Sequence, residues 1–229
     1  MNAIEWYNYI AKRNGGYTYS IIPEQMGTSA EDVFEEELLE VISNKVVLDA
    51  GCGHGEFTLK MAEYAKKIVG IDFAEELIKI ANRLKGENNN ENTEFITINS
   101  NNVLPFKDGY FNVIYSRRGP TNIYKQGNLL KSGGMIKGIH NYPIEHRNME
   151  TELRDSGLYS DISSRIYQDA IFYFKNAEDY AEYLSSSNMS VDYTLDENKE
   201  QFDEILKNSY INGRIGIKES KHIWQAVKI

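Results

Sequence analysis

Three glycines that alternate with other residues follow a short apolar run, and this spacing could support chemistry. Residues 46–48 are β-branched or aliphatic, which is typical of a parallel strand buried on both faces, and Asp49 ends the run. Glycine allows a sharp turn or the close approach of a ligand to the backbone. Residues 56–67 carry apolar side chains at helical spacing, which predicts a helix that begins after the turn. The free N–H groups at the start of this helix would favour an anionic group in the turn. The three glycines are Gly51, Gly53 and Gly55.

A second apolar run places an acid beside this turn. Residues 67–72 (KIVGID) predict a strand that ends at Asp72. Because the carboxyl ends of parallel strands meet at one edge of a sheet, Asp72 would lie next to the glycines and could accept hydrogen bonds from ribose hydroxyls. Strand, glycine turn, helix, strand and terminal acid together predict a nucleoside-binding unit. The alternative is an ordinary βαβ unit with a glycine-rich turn.

Composition limits the class of protein. The chain has 229 residues, 41% hydrophobic and 26% charged, as in an ordinary soluble globular protein. A net charge of −9 disfavours a general electrostatic grip on nucleic acid, although a local basic patch would survive it. The single Cys52 suits a reducing cytoplasm and excludes an internal disulfide and a cysteine-rich zinc site. We expect a cytoplasmic protein with no signal peptide, membrane span or metal site.

The remaining pattern alternates strands with helices, which predicts an α/β fold. We expect a doubly wound, mostly parallel sheet of seven strands with helices on both faces. Predicted helices begin near residue 28 and cover 56–67, 75–85, 122–130, 176–187 and 199–208, while further strands cover 94–98, 111–115, 135–140, 189–195 and 222–229.

The pattern predicts a single domain over residues 1–229. Its parts are an aromatic N-terminal arm (1–27), a cofactor-binding core (28–140), a lid over the ligand edge of the sheet (141–175) and the C-terminal part of the sheet (176–229). The lid is inferred from its low content of apolar residues, and the arm from its crowded tyrosines around a glycine break.

The motifs resemble those of class I S-adenosylmethionine-dependent methyltransferases. Residues 49–55 (DAGCGHG) match the D-x-G-x-G-x-G motif of that superfamily, and Asp72 occupies the position of its ribose-binding acid. Residues 104–106 (LPF), the Asp-Gly turn at 108–109 and the strand at 111–114 match a further block. The resemblance implies a Rossmann-like methyltransferase fold, S-adenosylmethionine as cofactor, and in-line displacement of its methyl group by an acceptor atom.

The resemblance also implies which residues would contact the cofactor. Ser100 departs from the aspartate that the superfamily often has at the adenine edge, so that contact would pass to Asn101 or to backbone. No catalytic residue is assigned, because the sulfonium methyl is already activated and the protein mainly has to align two reactants. The implied cofactor residues are Asp49, Gly51, Cys52, Gly53, Gly55, Asp72, Phe73, Ser100, Asn101, Asn102 and Ser116.

The acceptor is expected to be a small molecule between the arm and the lid. Adjacent arginines, Arg117 and Arg118, follow a predicted strand and would anchor an anionic or carbonyl group, unless they form a structural ion pair. The other candidate contacts are aromatic or histidine side chains of the arm and of the lid's start: Tyr7, Tyr17, His140, Tyr142 and His146.

Three other functions remain open. Residues 100–106 and the following arginines are similar to the catalytic domain of rRNA guanine-N1 methyltransferases, which would make RNA the acceptor, but this chain has no cysteine-built zinc module. A cofactor-binding protein without catalysis is a second alternative. An NAD-dependent dehydrogenase is disfavoured, because it needs G-x-G-x-x-G where this chain has alternating glycines. The oligomeric state is not predicted.

Overall fold

The structure is a computed structural model that describes residues 3–16, 20–143, 148–187 and 191–229. In chain order its elements are α1 (Ala3–Asn14), β1 (Glu24–Met26), α2 (Ala30–Ile42), β2 (Val46–Ala50), α3 (Glu56–Ala62), β3 (Lys67–Asp72), α4 (Glu75–Glu87), β4 (Thr93–Thr97), β5 (Phe111–Arg117), a 3-10 helix (Thr121–Leu129), β6 (Leu130–Asn141), α5 (Met149–Asp155), β7 (Tyr159–Tyr167), β8 (Ile171–Tyr173), α6 (Ala177–Ser187), a short 3-10 helix (Asp196–Asn198), α7 (Lys199–Lys207), β9 (Tyr210–Ile211), β10 (Arg214–Lys218) and β11 (Lys221–Lys228).

Seven strands form the main sheet, in the order β4-β3-β2-β5-β6-β11-β7. The pairs among the first five strands are parallel, and β11 runs antiparallel to both of its neighbours. The predicted α/β fold with a mostly parallel seven-stranded sheet is therefore confirmed. None of the helices among the described residues combines the length and hydropathy that a membrane span needs.

Helices cover both faces of this sheet, as the unbroken apolar runs of its strands predict. Successive residues of a strand point to opposite faces, so Val47 and Leu48 of β2 enter different hydrophobic clusters. The Val47 cluster contains Phe34 and Leu38 of α2 and Met61 of α3. The Leu48 cluster contains residues of α5, of the longer 3-10 helix and of β11. The members from these elements are Met149, Leu153, Ile123, Leu129 and Trp224.

A second, antiparallel sheet lies apart from the first, with the order β1-β8-β10-β9. Its apolar cluster includes Phe174, Tyr180 of α6 and Phe202 of α7. We call the described residues of 20–26 and 170–218, which form this sheet and its helices, the cap. The cap joins two distant stretches of chain, because β1 pairs with β8 at Gln25 and Phe172.

The C-terminal half differs from the sequence prediction in three ways. The predicted strand at 189–195 is wrong for its described part, since residues 191–195 form loop and turn, and Tyr193 packs on the cap cluster. Tyr159–Tyr167, assigned to the lid, is instead the edge strand of the main sheet. Of the stretch 176–229, only β11 belongs to the main sheet. The edge strand is mostly polar and exposed, which removed the apolar signal by which buried strands are recognised.

Smaller differences concern the ends of elements. The helix predicted at 56–67 ends at Ala62, and the helix predicted at 122–130 is a 3-10 helix. The strand predicted at 135–140 is longer and spans Leu130–Asn141.

Candidate active site

A cleft of about 1110 Å³ opens where the carboxyl ends of the central strands face the cap. This is the edge at which open α/β sheets bind ligands. Its walls come from the ends of β2, β3 and β5, from the segments that follow β4 and β5, from the helices α1 to α4, and from the cap. Residues that line it include Asp49, Gly51, Cys52, Gly53, Asp72, Phe73, Arg117 and Arg118 from the sheet edge, and Ile21, Ile22, Pro23, Phe172 and Tyr183 from the cap.

The glycine turn is fixed to the neighbouring strand by its backbone. The N–H groups of Gly51 and Cys52 both donate to the carbonyl oxygen of Ile71, at 2.8 and 3.0 Å. Burial raises the pKa of the Cys52 thiol well above its ordinary value, so this side chain is not a thiolate nucleophile.

The three glycines have different surroundings. A Cβ added to Gly51 would lie 2.7 Å from Cα of Gly119, and one added to Gly55 would lie 2.6 Å from the ring of Phe95. A Cβ on Gly53 would meet no atom within 4 Å. Protein therefore fills the space beside two of the glycines, while the third faces the open cleft.

Asp72 joins the end of β3 to this turn. Its Oδ2 accepts from the Gly53 N–H at 3.0 Å, and its Oδ1 accepts from the Ala74 N–H at 2.9 Å. Burial raises the pKa of the carboxyl group, and hydrogen bonds from the N–H groups of Ala74, Gly53 and Phe73 oppose that rise. The two carboxylate oxygens together have four lone pairs, so three N–H donors leave capacity for a ligand hydroxyl.

Asp49 is the second acid of the cleft. Its Oδ2 accepts from Thr58 Oγ1 at 2.6 Å and from the Tyr115 hydroxyl at 2.8 Å. Burial raises the pKa of this carboxyl group to about 6, against the lowering effect of the two hydrogen bonds and of Arg117. Two acids at the ends of adjacent strands make this part of the cleft suitable for a cationic ligand.

The N-terminal helix lies beside Asp72. Tyr7 of α1 meets Phe73 edge-to-face, with ring centroids 5.4 Å apart, and Ala11 packs with Leu77 of α4. Asn8 Oδ1 accepts from the Glu76 N–H at 3.2 Å, which fixes α1 to the start of α4. Tyr7 and Phe73 both line the cleft, as their predicted roles require.

The loop after β4 borders the same end of the cleft. Ser100 and Asn101 line it, together with Asn99, which was not predicted. Asn102 does not line it: its N–H donates to the Asn99 carbonyl at 2.9 Å, and its own carbonyl accepts from Gln126 Nε2 at 3.1 Å. Asn102 therefore shapes the loop instead of facing a ligand.

The two arginines after β5 share one carboxylate. Arg117 Nε donates to Glu31 Oε2 at 2.6 Å, and its guanidinium lies 4.3 Å from the centre of the Phe57 ring. Arg118 Nε lies 3.4 Å from Glu31 Oε1, and Lys221 Nζ lies 3.8 Å from the same oxygen. Burial alone would raise the pKa of Glu31, but the three cations outweigh it and the pKa is lowered.

His140 and Ser116 lie outside the cleft lining, contrary to their predicted roles. His140 is buried, and its Nδ1 accepts from the indole N–H of Trp224 at 3.1 Å. The other ring nitrogen therefore carries the proton and donates to the Gly119 carbonyl at 3.2 Å. Burial lowers the pKa of His140 to about 4, so the ring is neutral and holds the loop on which Gly51 packs. The Ser116 hydroxyl is also buried, with no hydrogen-bond partner among the described residues.

One further candidate contact, Tyr142, is not among the residues that line the cleft. Tyr142 is 40% exposed and meets the ring of His222, away from the cleft lining. Tyr17 and His146 lie outside the described residues.

Sequence reasoning missed several lining residues besides Asn99. The cap residues lie far apart in the chain and are joined only by the pairing of β1 with β8, which has no local signal. Others project from the helices that flank the turn, where charged side chains are normal on an exposed face: Glu35, His54, Glu56, Phe57 and Lys60. In the described part of the chain no group of three His, Cys, Asp or Glu side chains could hold a metal ion.

The sheet order, the alternating glycines and the strand-terminal acid define a Rossmann-like methyltransferase fold. The sequence model of the methyltransferase domain family matches residues 42–214, more than half of the chain. The chain therefore belongs to this family.

Solved structures share the fold at low sequence identity. A functionally unknown protein from Deinococcus radiodurans is 19% identical, with a TM-score of 0.69, and the match covers 98% of this chain and 100% of that one. The geranyl diphosphate C-methyltransferase of Streptomyces coelicolor, solved with S-adenosyl-L-homocysteine, is 14% identical, with a TM-score of 0.58, over 87% of this chain and 78% of that one.

The curated relatives are similar over a shorter stretch. An uncharacterized RNA methyltransferase of Bacillus cereus is 36% identical over 93 residues, which is 40% of this chain and 20% of the relative. The chain thus spans about a fifth of the length of the curated relatives it matches.

Proposed function

We propose that the protein transfers the methyl group of S-adenosylmethionine to a small molecule held between the main sheet and the cap. The observation that carries this proposal is the cleft itself, which at about 1110 Å³ has room for the cofactor and a second small ligand. Apolar cap side chains, among them Ile22 and Phe172, line the cleft together with the glycine turn.

The residues of the sheet edge fit the cofactor. Asp72 would accept hydrogen bonds from ribose hydroxyls with its remaining lone pairs, and the open space at Gly53 would admit the methionine part against bare backbone. Asp49 would attract the cationic groups, and Phe73 and Ser100 would border the adenine. When bound, S-adenosylmethionine supplies a sulfonium-activated methyl group that an acceptor atom displaces in line.

The charges at the cleft favour a small acceptor over RNA. Binding to RNA draws its affinity largely from lysines and arginines that neutralise phosphates. Here Lys60 is paired with Glu35 at 2.5 Å, and Arg117 and Arg118 both face Glu31. Acids line the same cleft, among them Asp49, Glu56 and Asp72, so its cations form a small cluster and not the extended basic surface that a polyanion needs.

RNA remains the second candidate acceptor. The observation that favours it is the name of the Bacillus cereus relative, which matches only part of this chain. A protein that binds the cofactor without catalysis is the third candidate, and the intact Asp49, Gly53 and Asp72 are compatible with it.

Labelled S-adenosylmethionine tests the proposal. The protein would be incubated with a bacterial extract separated into small-molecule, RNA and protein fractions, with the Asp72→Asn variant as a control. We expect label in the small-molecule fraction, and much less with the variant. Label confined to RNA would show that the second candidate is correct, and no transfer with intact cofactor binding would favour the third.

A further inference from the structure

We propose that the methyl acceptor carries an anionic group, and that the terminal nitrogens of Arg117 bind it. This inference rests on the proposed function, because it names the class of the small molecule in the same cleft. Three features support it: the contacts that orient Arg117, the charged groups around it, and the apolar side chains that line the same cleft.

The guanidinium of Arg117 is held at its Nε edge, which leaves the edge formed by Nη1 and Nη2 available for a ligand. Its Nε donates to Glu31 at 2.6 Å, and its guanidinium stacks over Phe57 at 4.3 Å. Because the guanidinium is planar, these two contacts fix the direction of the whole group. No described residue accepts a hydrogen bond from its Nη1 or Nη2. The side chain is 26% exposed and lines the cleft. A pre-oriented pair of N–H donors matches the two oxygens of a carboxylate.

The charge around Arg117 favours an added anion. Three cations, Arg117, Arg118 and Lys221, surround the single carboxylate of Glu31. Two other acids lie nearby: Asp49, whose carboxyl group interacts with Arg117, and Glu219, which is buried and accepts from the Ala30 N–H at 2.7 Å. Burial raises the pKa of Glu219. The cations beside Glu31 outnumber the carboxylate that they share, although the chain as a whole is acidic.

The rest of the compartment suits an apolar body. Phe57, Ile22, Phe172 and Tyr183 line the same cleft, and Ile22 is 91% exposed. Binding sites for small molecules combine such apolar walls with a few polar groups that fix orientation. The acceptor class that fits is a small aromatic or aliphatic molecule with one carboxylate or a similar anionic group.

Matched ligands and matched variants test this inference. The protein, loaded with S-adenosylhomocysteine, would be titrated by calorimetry with 1-naphthoate, indole-3-acetate and decanoate, each compared with its primary amide. Arg117→Met keeps a long side chain over Phe57 but removes the donors, and Arg117→Lys keeps the charge without the fork. Arg83→Met is the control, because Arg83 is an exposed arginine of α4 that is paired with Glu87, at 2.7 Å, and does not line the cleft.

We expect at least one carboxylate to bind tenfold or more tightly than its amide, which corresponds to about 1.4 kcal/mol or more. Arg117→Met should abolish that preference, Arg117→Lys should keep part of it, and Arg83→Met should not change it. The dissociation constant of S-adenosylhomocysteine should be the same in all variants, which would show that the cleft is intact.

The inference is overturned if no carboxylate in the set is preferred over its amide, or if the preference persists in Arg117→Met. Its failure is distinguishable from that of the proposed function. Label transferred to a neutral small molecule would overturn the role of Arg117 and leave the proposed function standing. Label transferred only to RNA would overturn both.

Discussion

Replacing Gly53 with alanine separates cofactor binding from folding. The added Cβ would meet no protein atom within 4 Å, so the substitution creates no clash in the protein itself. The φ of +56° at Gly53 is unfavourable for alanine and should lower the free energy of unfolding by roughly 1–2 kcal/mol. For a chain of this size each kcal/mol lowers the melting temperature by about 2–4 °C. The variant should therefore fold, with a melting temperature several degrees lower.

The substitution should also weaken cofactor binding, as an effect separate from its cost in stability. The Cβ would project into the open cleft, where we propose that the cofactor approaches the backbone of the turn. We expect the dissociation constant of S-adenosylhomocysteine to rise by more than tenfold, which corresponds to about 1.4 kcal/mol or more.

Gly133→Ala is the matched control. Gly133 has a φ of +74°, also has no atom within 4 Å of an added Cβ, and does not line the cleft. It should lose similar stability in a thermal melt and keep the wild-type affinity in calorimetry. Equal affinity of Gly53→Ala and Gly133→Ala for S-adenosylhomocysteine would refute the proposed position of the cofactor.

Three further predictions address the acids and the buried histidine. Asp72→Asn should weaken the binding of S-adenosylhomocysteine by about 1.5–3 kcal/mol in calorimetry, because it removes the charge that would accept ribose hydroxyls. Asp108→Asn, at an exposed turn, should have no effect, and equal binding by both variants would contradict the role of Asp72. Because burial raises the pKa of Asp49 to about 6, its charge appears as the pH increases through that value, so affinity for cationic S-adenosylmethionine should rise by up to about tenfold from about pH 5 to about pH 7. Asp49→Asn should remove that dependence, and an affinity that falls over the same range would contradict it. His140→Leu should weaken cofactor binding by roughly 0.5–1.5 kcal/mol, because it frees the Gly119 carbonyl beside Gly51; a lower melting temperature with unchanged affinity would show a role in stability only.

The cofactor half of the cleft could be predicted because its signals are local. The apolar run, the glycines and Asp72 lie within 46–72, and each belongs to an element whose pattern is complete in a few residues. Parallel pairing then brings the ends of β2 and β3 together without further information from the chain.

The acceptor half could not be predicted in the same way. The cap depends on pairing of Glu24–Met26 with Ile171–Tyr173, and such long-range pairing has no signature in either segment. The prediction for His140 fails for a related reason. Its position at the end of β6 indicates a ligand contact, whereas its side chain turns inward to Trp224. Which side of a strand end faces the cleft is decided by packing across the sheet.

The most direct test is a crystal structure with S-adenosylhomocysteine bound. We expect the ribose hydroxyls within hydrogen-bonding distance of the Asp72 carboxylate and the homocysteine part against the backbone of Gly53. A ligand bound elsewhere, or a ribose without contact to Asp72, would contradict the cofactor site proposed for this methyltransferase.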